Sequence, residues 1–353
     1  MTANLFTDHL GLAAPILQAP MAGSQGFALA AAVCEAGGLG AIPAAMHSPE
    51  SLDAELQALR GLTARPFNVN FFCHVAPTAD ADALARWHAV LTPYYRELGL
   101  DAEAMPQGPG RTPFGSAFLP VLAAHRPAVV SFHFGLPAPE LLEAVQALGC
   151  RVWSSATTVA EARWLEARGV DAVIAQGLEA GGHRGHFLSE DLTQQMGTLA
   201  LLPQVVEAVS LPVIAAGGIA DAAGIRAARA LGAQAVQMGT VWLCTPEATT
   251  GALHRAVLQS PSARHTALTR LFSGRPARGV VNRLMRELGP MHEAAPAFPL
   301  ATAAIAPLRA GAEALGRTDF TALWAGQNTQ GCVDEPAGTL AQRLIAAWHG
   351  ASD

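Results

Sequence analysis

Residues Pro212-Val213-Ile214-Ala215-Ala216-Gly217-Gly218 and Ala233-Gln234-Ala235-Val236-Gln237-Met238-Gly239-Thr240 flank a stretch with helical spacing, 221–231. Both flanking runs are dominated by small and β-branched apolar residues, as strands buried on both faces must be. The unit reads as strand, helix, parallel strand. Working towards the N-terminus, the same rhythm recurs. Residues 170–176 precede a polar loop and a helix over 198–209, and residues 151–155 lead into a helix over 158–168. Further strands are expected at 128–134, 67–72, 39–42 and 15–19, with helices over 114–125 and 27–36 and one opening at Ser48-Pro49. There the serine can act as N-cap and the proline fits the first turn. Eight such units over about 250 residues predict a (β/α)8 TIM barrel rather than an open doubly wound sheet.

Two stretches exceed the pattern. Residues from about 78 to 111 read as an insertion after the third strand, and the tail beyond about Pro246 is too long for one last helix. The expected organisation is a barrel over 1–245 and a helical extension over 246–353 that packs over the barrel mouth and completes the active site.

Composition removes whole classes of function. The chain has 353 residues, 51% hydrophobic and 14% charged, with formal net charge −6. All 22 cationic residues are arginine. Without lysine there is no Schiff-base catalysis and no P-loop phosphate lysine. A mildly acidic chain without a basic tract argues against nucleic acid and anionic membrane as partners. The five cysteines are scattered and contain no C-x-x-C pair, which fits a reducing cytoplasm and no metal site. No apolar run reaches the roughly 18 residues of a membrane span, and the first arginine is Arg60, so no basic secretion signal opens the chain. A cytoplasmic protein is expected.

In a (β/α)8 barrel the active site lies at the C-terminal strand ends. The third strand there carries Asn68 and Asn70, the fourth His133, the sixth Gln176 and the eighth Gln237. A buried, unpaired amide costs about 1–3 kcal/mol, so amides converging on one barrel end suit a polar ligand, unless each merely caps a loop carbonyl. Gly217 and Gly218 follow the seventh strand, and Met238, Gly239 and Thr240 complete the eighth. Glycines in these two loops let main-chain N–H groups approach a phosphate, with the threonine hydroxyl as a further donor. The alternative is tight turns and nothing more. After the sixth strand comes Gly177-Leu178-Glu179-Ala180-Gly181-Gly182-His183-Arg184-Gly185-His186, a glycine-rich loop in which His183 can serve as acid, base or hydrogen-bond donor, or simply face water. Met21, Ala22 and Gly23 end the first strand with small or soft residues against which a flat ligand could lie; ordinary core packing explains them equally.

Taken together, these stretches resemble the nitronate monooxygenase family, once called 2-nitropropane dioxygenase, and within it the first, bacterial and fungal, class. The matching segments are residues 15–23, 176–185, 212–218, Leu231-Gly232-Ala233 and 237–240, with Ser273-Gly274-Arg275-Pro276-Ala277-Arg278-Gly279 and Leu323-Trp324-Ala325-Gly326-Gln327 in the tail. The resemblance implies an FMN-dependent enzyme. It would oxidise alkyl nitronates such as propionate 3-nitronate with O2, giving a carbonyl compound and nitrite, and so would detoxify them. It places Asn70, Gln176, Gly181, Gly182, Gly217, Gly218 and Gln237 to Thr240 among the FMN contacts, and Met21, Ala22 and Gly23 beside the flavin ring. His183 matches the family's catalytic histidine, and His133 is a second active-site candidate. With no lysine, any substrate anion must be held by arginine, histidine or main-chain N–H. A monomer or a homodimer is compatible with the sequence. The rivals are an NAD(P)H-dependent FMN reductase of a quinone or enoyl thioester, and a phosphate-ligand-binding barrel without catalysis.

Overall fold

A computed structural model describes residues 5–78, 80–106 and 111–350. Strands β1 (Ile16–Gln18), β2 (Gly40–Pro43), β3 (Phe67–Phe72), β4 (Val129–His133), β5 (Arg151–Ala156) and β6 (Ala172–Gln176) alternate with helices α1 (Phe27–Glu35), α2 (Pro49–Leu62), α3 (Ala81–Glu97), α4 (Leu119–His125), α5 (Pro139–Ala147) and α6 (Val159–Glu166). A short strand β7 (Gly182–His183) precedes α7 (Thr198–Ala208), β8 (Val213–Ala216), α8 (Ala222–Ala230) and β9 (Ala235–Met238). The remainder is α9 (Ala252–Leu258), β10 (Thr266–Thr269), β11 (Ala277–Val280), α10 (Arg283–Leu288), α11 (Ala301–Ala314) and α12 (Ala337–Trp348).

The eight-stranded sheet is parallel throughout, in the order β1-β9-β8-β6-β5-β4-β3-β2. It closes on itself just before β2: Gln18 N–H donates to the Leu39 carbonyl at 2.9 Å, and Leu39 N–H to the Ile16 carbonyl at 3.0 Å. This is the expected TIM barrel, with all eight strands where the sequence puts them. Alternation sorts the side chains. In β3, Phe67, Val69 and Phe71 face the helices and join the outer core, while Asn68, Asn70 and Phe72 point inward. The lower barrel interior is apolar, built on Leu17, Trp153, Ile174 and Ile214 and closed from below by Phe6, whose ring meets Trp153 edge-on at 5.6 Å. The polar inward residues lie in the upper half.

Local chemistry sets the helix starts. Ser48 and Ser51 form a reciprocal capping box with Pro49 in the first turn. Thr158 and Asp221 cap α6 and α8 by accepting the N–H groups of Glu161 and Gly224.

The insertion after β3 contains α3, whose Trp87, Leu91, Tyr94 and Tyr95 share one apolar face. That face packs on Leu284, Leu308 and Phe320 of the tail, forming a second core beside the barrel. Residues 79 and 107–110 of the insertion lie outside the described residues. The tail is helical in α9 to α12 but also supplies the β10–β11 hairpin, to which β7 adds antiparallel. Its last helix, α12, packs between α1 and α8 and occupies the place of the barrel's eighth helix. Among the described residues, no helix is long and apolar enough to cross a membrane.

Candidate active site

The C-terminal strand ends surround a cleft of about 1260 Å³, counted out to its open mouth. Met21, Ala22, Asn70, His133, Gln176, Gly181, Gly182, His183, Gly217, Gly218, Gln237, Met238, Gly239 and Thr240 all line it. Gly23 does not: it sits one residue beyond, at φ +83°, next to Met46 Sδ.

One side of the cleft is a main-chain cradle. Gly217 and Gly218 adopt φ of +119° and +72°, conformations open to glycine and strained for other residues. Their carbonyls are tied back, Gly217 O by the Thr198 hydroxyl at 2.9 Å and Gly218 O by Asn328 Nδ2 at 3.2 Å. Their N–H groups, and those of Gly239 and Thr240, donate to no acceptor among the described residues. Space is reserved too, since a Cβ on Gly217 would lie 2.8 Å from Thr198 Oγ1 and one on Gly218 3.2 Å from Glu179 Cβ. Free N–H groups on two adjacent loops, with no cation required, fit a phosphate. Thr240 Oγ1 accepts from Gly326 N–H at 2.9 Å, so the tail segment from Trp324 to Asn328 is stitched across this side.

The three amides have different duties. Gln176 is spent on the loop: its Nε2 donates to the His183 carbonyl at 3.0 Å and its Oε1 accepts from Gly185 N–H at 2.8 Å. Asn70 Nδ2 donates to Ser131 Oγ at 2.9 Å, while its Oδ1 meets no donor among the described residues. Gln237 has no partner for its side-chain amide among the described residues. Asn70 and Gln237 therefore remain available to a ligand.

His183 stands opposite, boxed by aromatic rings. Phe298, Trp324, Phe72 and Phe134 have centroids 5.3, 5.6, 6.0 and 6.1 Å from its ring. Its position is fixed by the tail, because β7 pairs with β11 through His183 and Ala277. Its Nε2 lies 2.9 Å from Ser273 Oγ, which also reaches the Arg275 carbonyl at 3.3 Å. Ser273 therefore holds the Nε2 edge of the ring, while Nδ1 has no hydrogen-bond partner among the described residues. Burial, and then the nearby guanidinium groups of Arg111 and Arg275 and the imidazoles of His133 and His74, hold His183 well below the usual histidine range. It is neutral at pH 7. His133 is also neutral, pushed down to about 3 chiefly by burial. Its Nε2 donates to the His183 carbonyl at 3.1 Å and its Nδ1 accepts from the Ser155 hydroxyl at 2.9 Å. His133 thus steadies the loop beneath His183.

Arg184 points away from the cleft. Fully buried, it donates to the carbonyls of Gln176 (2.7 Å) and Gly177 (2.6 Å) and to Gln195 Oε1 (2.7 Å). Sequence reasoning did not assign Ser273, Trp324 or Arg111 to the site. The first two lie in tail segments already quoted for the family resemblance, which was the available signal. Arg111, at the end of the insertion, gave none.

The family model described as "Nitronate monooxygenase" matches residues 4–346. A nitronate monooxygenase of Pseudomonas aeruginosa is 44% identical over 98% of this chain and 99% of its own length. The solved structure of a nitroalkane oxidase from Streptomyces ansochromogenes superposes with a TM-score of 0.88 at 43% identity, covering 97% of each chain. FabK from Thermotoga maritima is more distant, with a TM-score of 0.72 and 28% identity over 99% of this chain and 97% of its own. With its barrel, histidine loop and tail all inside that match, the chain belongs to the nitronate monooxygenase family, a family of oxidoreductases.

Proposed function

We propose that this protein is an FMN-dependent enzyme that oxidises alkyl nitronates with O2 to a carbonyl compound and nitrite. The observation that carries the reading is one cleft with a phosphate-ready main-chain cradle on one side and a neutral, half-buried histidine on the other. The family's flavin fits these residues. The N–H groups of Gly217, Gly218, Gly239 and Thr240 would hold the phosphate, Asn70 and Gln237 would pair with the polar edge of the ring, and Met21, Ala22 and Met238 would pack beside it. Bound there, FMN supplies the electron transfer from substrate to O2.

The chain's own residues bind and orient. The aromatic box shields one side of His183 from water, and Ser273 orients its ring. Arg111 and Arg275 nearby favour an anion. A histidine this hard to protonate is a poor acceptor for a carbon-bound proton, so the preformed nitronate suits the site better than the neutral nitroalkane. In this reading residues 1–245 supply the cofactor side and residues 246–353 complete the substrate side, through Ser273, Phe298 and Trp324. The five free cysteines accord with a cytoplasmic setting.

The experiment is spectral. Purified protein should be yellow, a nitronate but not NADH should change the flavin spectrum without air, and nitrite should appear when air is admitted. Rapid bleaching by NADH with no response to propionate 3-nitronate would instead make it a reductase. Colourless protein that refuses FMN would reduce it to a binding barrel.

A further inference from the structure

We propose that Arg111 is the anion anchor of this cleft, recognising a carboxylate carried by the substrate in addition to its nitronate group. The inference deepens the proposed function and rests on it. Arg111 lines the cleft and is half-buried, yet no carboxylate lies within ion-pair distance of it among the described residues. Its Nη1 is out of reach of solvent, and among the described residues no side-chain nitrogen of Arg111 meets a hydrogen-bond acceptor. An uncompensated guanidinium in such a place is costly, and its fork of donors matches a carboxylate. The chain has no lysine to do this work.

The fold holds Arg111 where a substrate must lie. Its carbonyl accepts from His74 Nε2 at 3.0 Å. Its guanidinium carbon is 6.0 Å from the rings of both Phe72 and Phe298, two walls of the box around His183. Arg111 and His183 thus share one end of the cleft. It is not the end that holds the phosphate cradle. Arg111 returns the chain from β3, and in the closed ring of eight strands β3 lies diametrically opposite β8, which bears Gly217 and Gly218. The arginine is therefore set to meet substrate rather than cofactor. Burial already pulls its pKa down, a cost that a bound anion would relieve.

The test compares ligands with and without a carboxylate on flavin-loaded protein. Binding of 3-nitropropionate and of 1-nitropropane, followed by calorimetry, gives a readout independent of turnover; KM for propionate 3-nitronate and propyl-1-nitronate gives the kinetic one. Arg111→Gln should weaken the carboxylate-bearing ligands about 10–100-fold and the others less than about threefold. Arg111→Lys should restore part of the difference, and flavin content should stay unchanged in both variants. Equal weakening of both ligand types, or none, overturns the anchor while leaving nitronate oxidation intact. Wild-type protein that oxidises neither nitronate overturns the proposed function instead.

Discussion

Ser273 Oγ lies 2.9 Å from His183 Nε2, although the two residues are 90 positions apart in the chain. The contact joins the loop after the sixth barrel strand to the turn that opens the β10–β11 hairpin's second strand, and it sets the orientation of the imidazole ring. Ser273→Ala should keep its flavin and lower kcat about tenfold with little change in KM, because orientation rather than substrate contact is lost. Ser273→Thr, which retains the hydroxyl, should recover most of the rate. Steady-state kinetics on the two variants decides it; an unaffected Ser273→Ala enzyme removes the serine from the mechanism.

His183→Asn should fold and bind flavin normally while turnover of nitronate falls by about 10²-fold, because the substrate loses the imidazole that orients it inside the aromatic box. Because burial holds His183 well below its usual pKa, the wild-type rate should not drop as pH falls from 7 to 6. A pH profile with an acid limb centred near 6.5 would show that the histidine is not held below its usual range.

Acid should destabilise the protein through its buried histidines. His133 is pushed down to about 3 and His254 to about 4, in both cases mainly by burial, whereas both titrate near 6.5 when unfolded. Between those values the unfolded chain binds more protons than the native one. Stability is therefore complete above pH 6.5 and is lost as pH falls towards 4, by up to about 1.4 kcal/mol per pH unit for each histidine. Urea midpoints measured from pH 7 to pH 4 should show this slope, and His133→Asn should flatten it.

Gly218→Val combines a β-branched side chain with φ +72° and places its Cβ 3.2 Å from Glu179 Cβ. The cradle should deform, and flavin recovered per chain should fall by at least about tenfold while far-ultraviolet circular dichroism stays native. Full flavin content in this variant places the phosphate elsewhere.

Arg184→Met should behave as a stability variant. Two carbonyls and Gln195 Oε1 lose a buried, charged donor, at a cost of about 2–4 kcal/mol. Thermal and urea unfolding measure the loss. An unchanged Tm together with a raised KM would move Arg184 from the scaffold into the substrate site.

The sequence by itself determined the barrel, its eight strands in order and the glycine loops that form the cradle. Those features are local: apolar runs buried on both faces, caps such as Ser48 and Asp221, and the positive φ of Gly217 and Gly218 are all written within a few residues of where they act. Tertiary structure decided what each polar side chain does. Gln176 and Arg184 bind their own loop, Gln237 and the Asn70 oxygen find no partner among the described residues, and His183 takes its orientation from Ser273. Arg111 stands at the cleft between Phe72 of β3 and Phe298 of the tail, with its carbonyl held by His74. No periodicity encodes such pairings, since a side chain's partner depends on where the backbone returns after a long excursion, and that is set by the packing of two cores against each other.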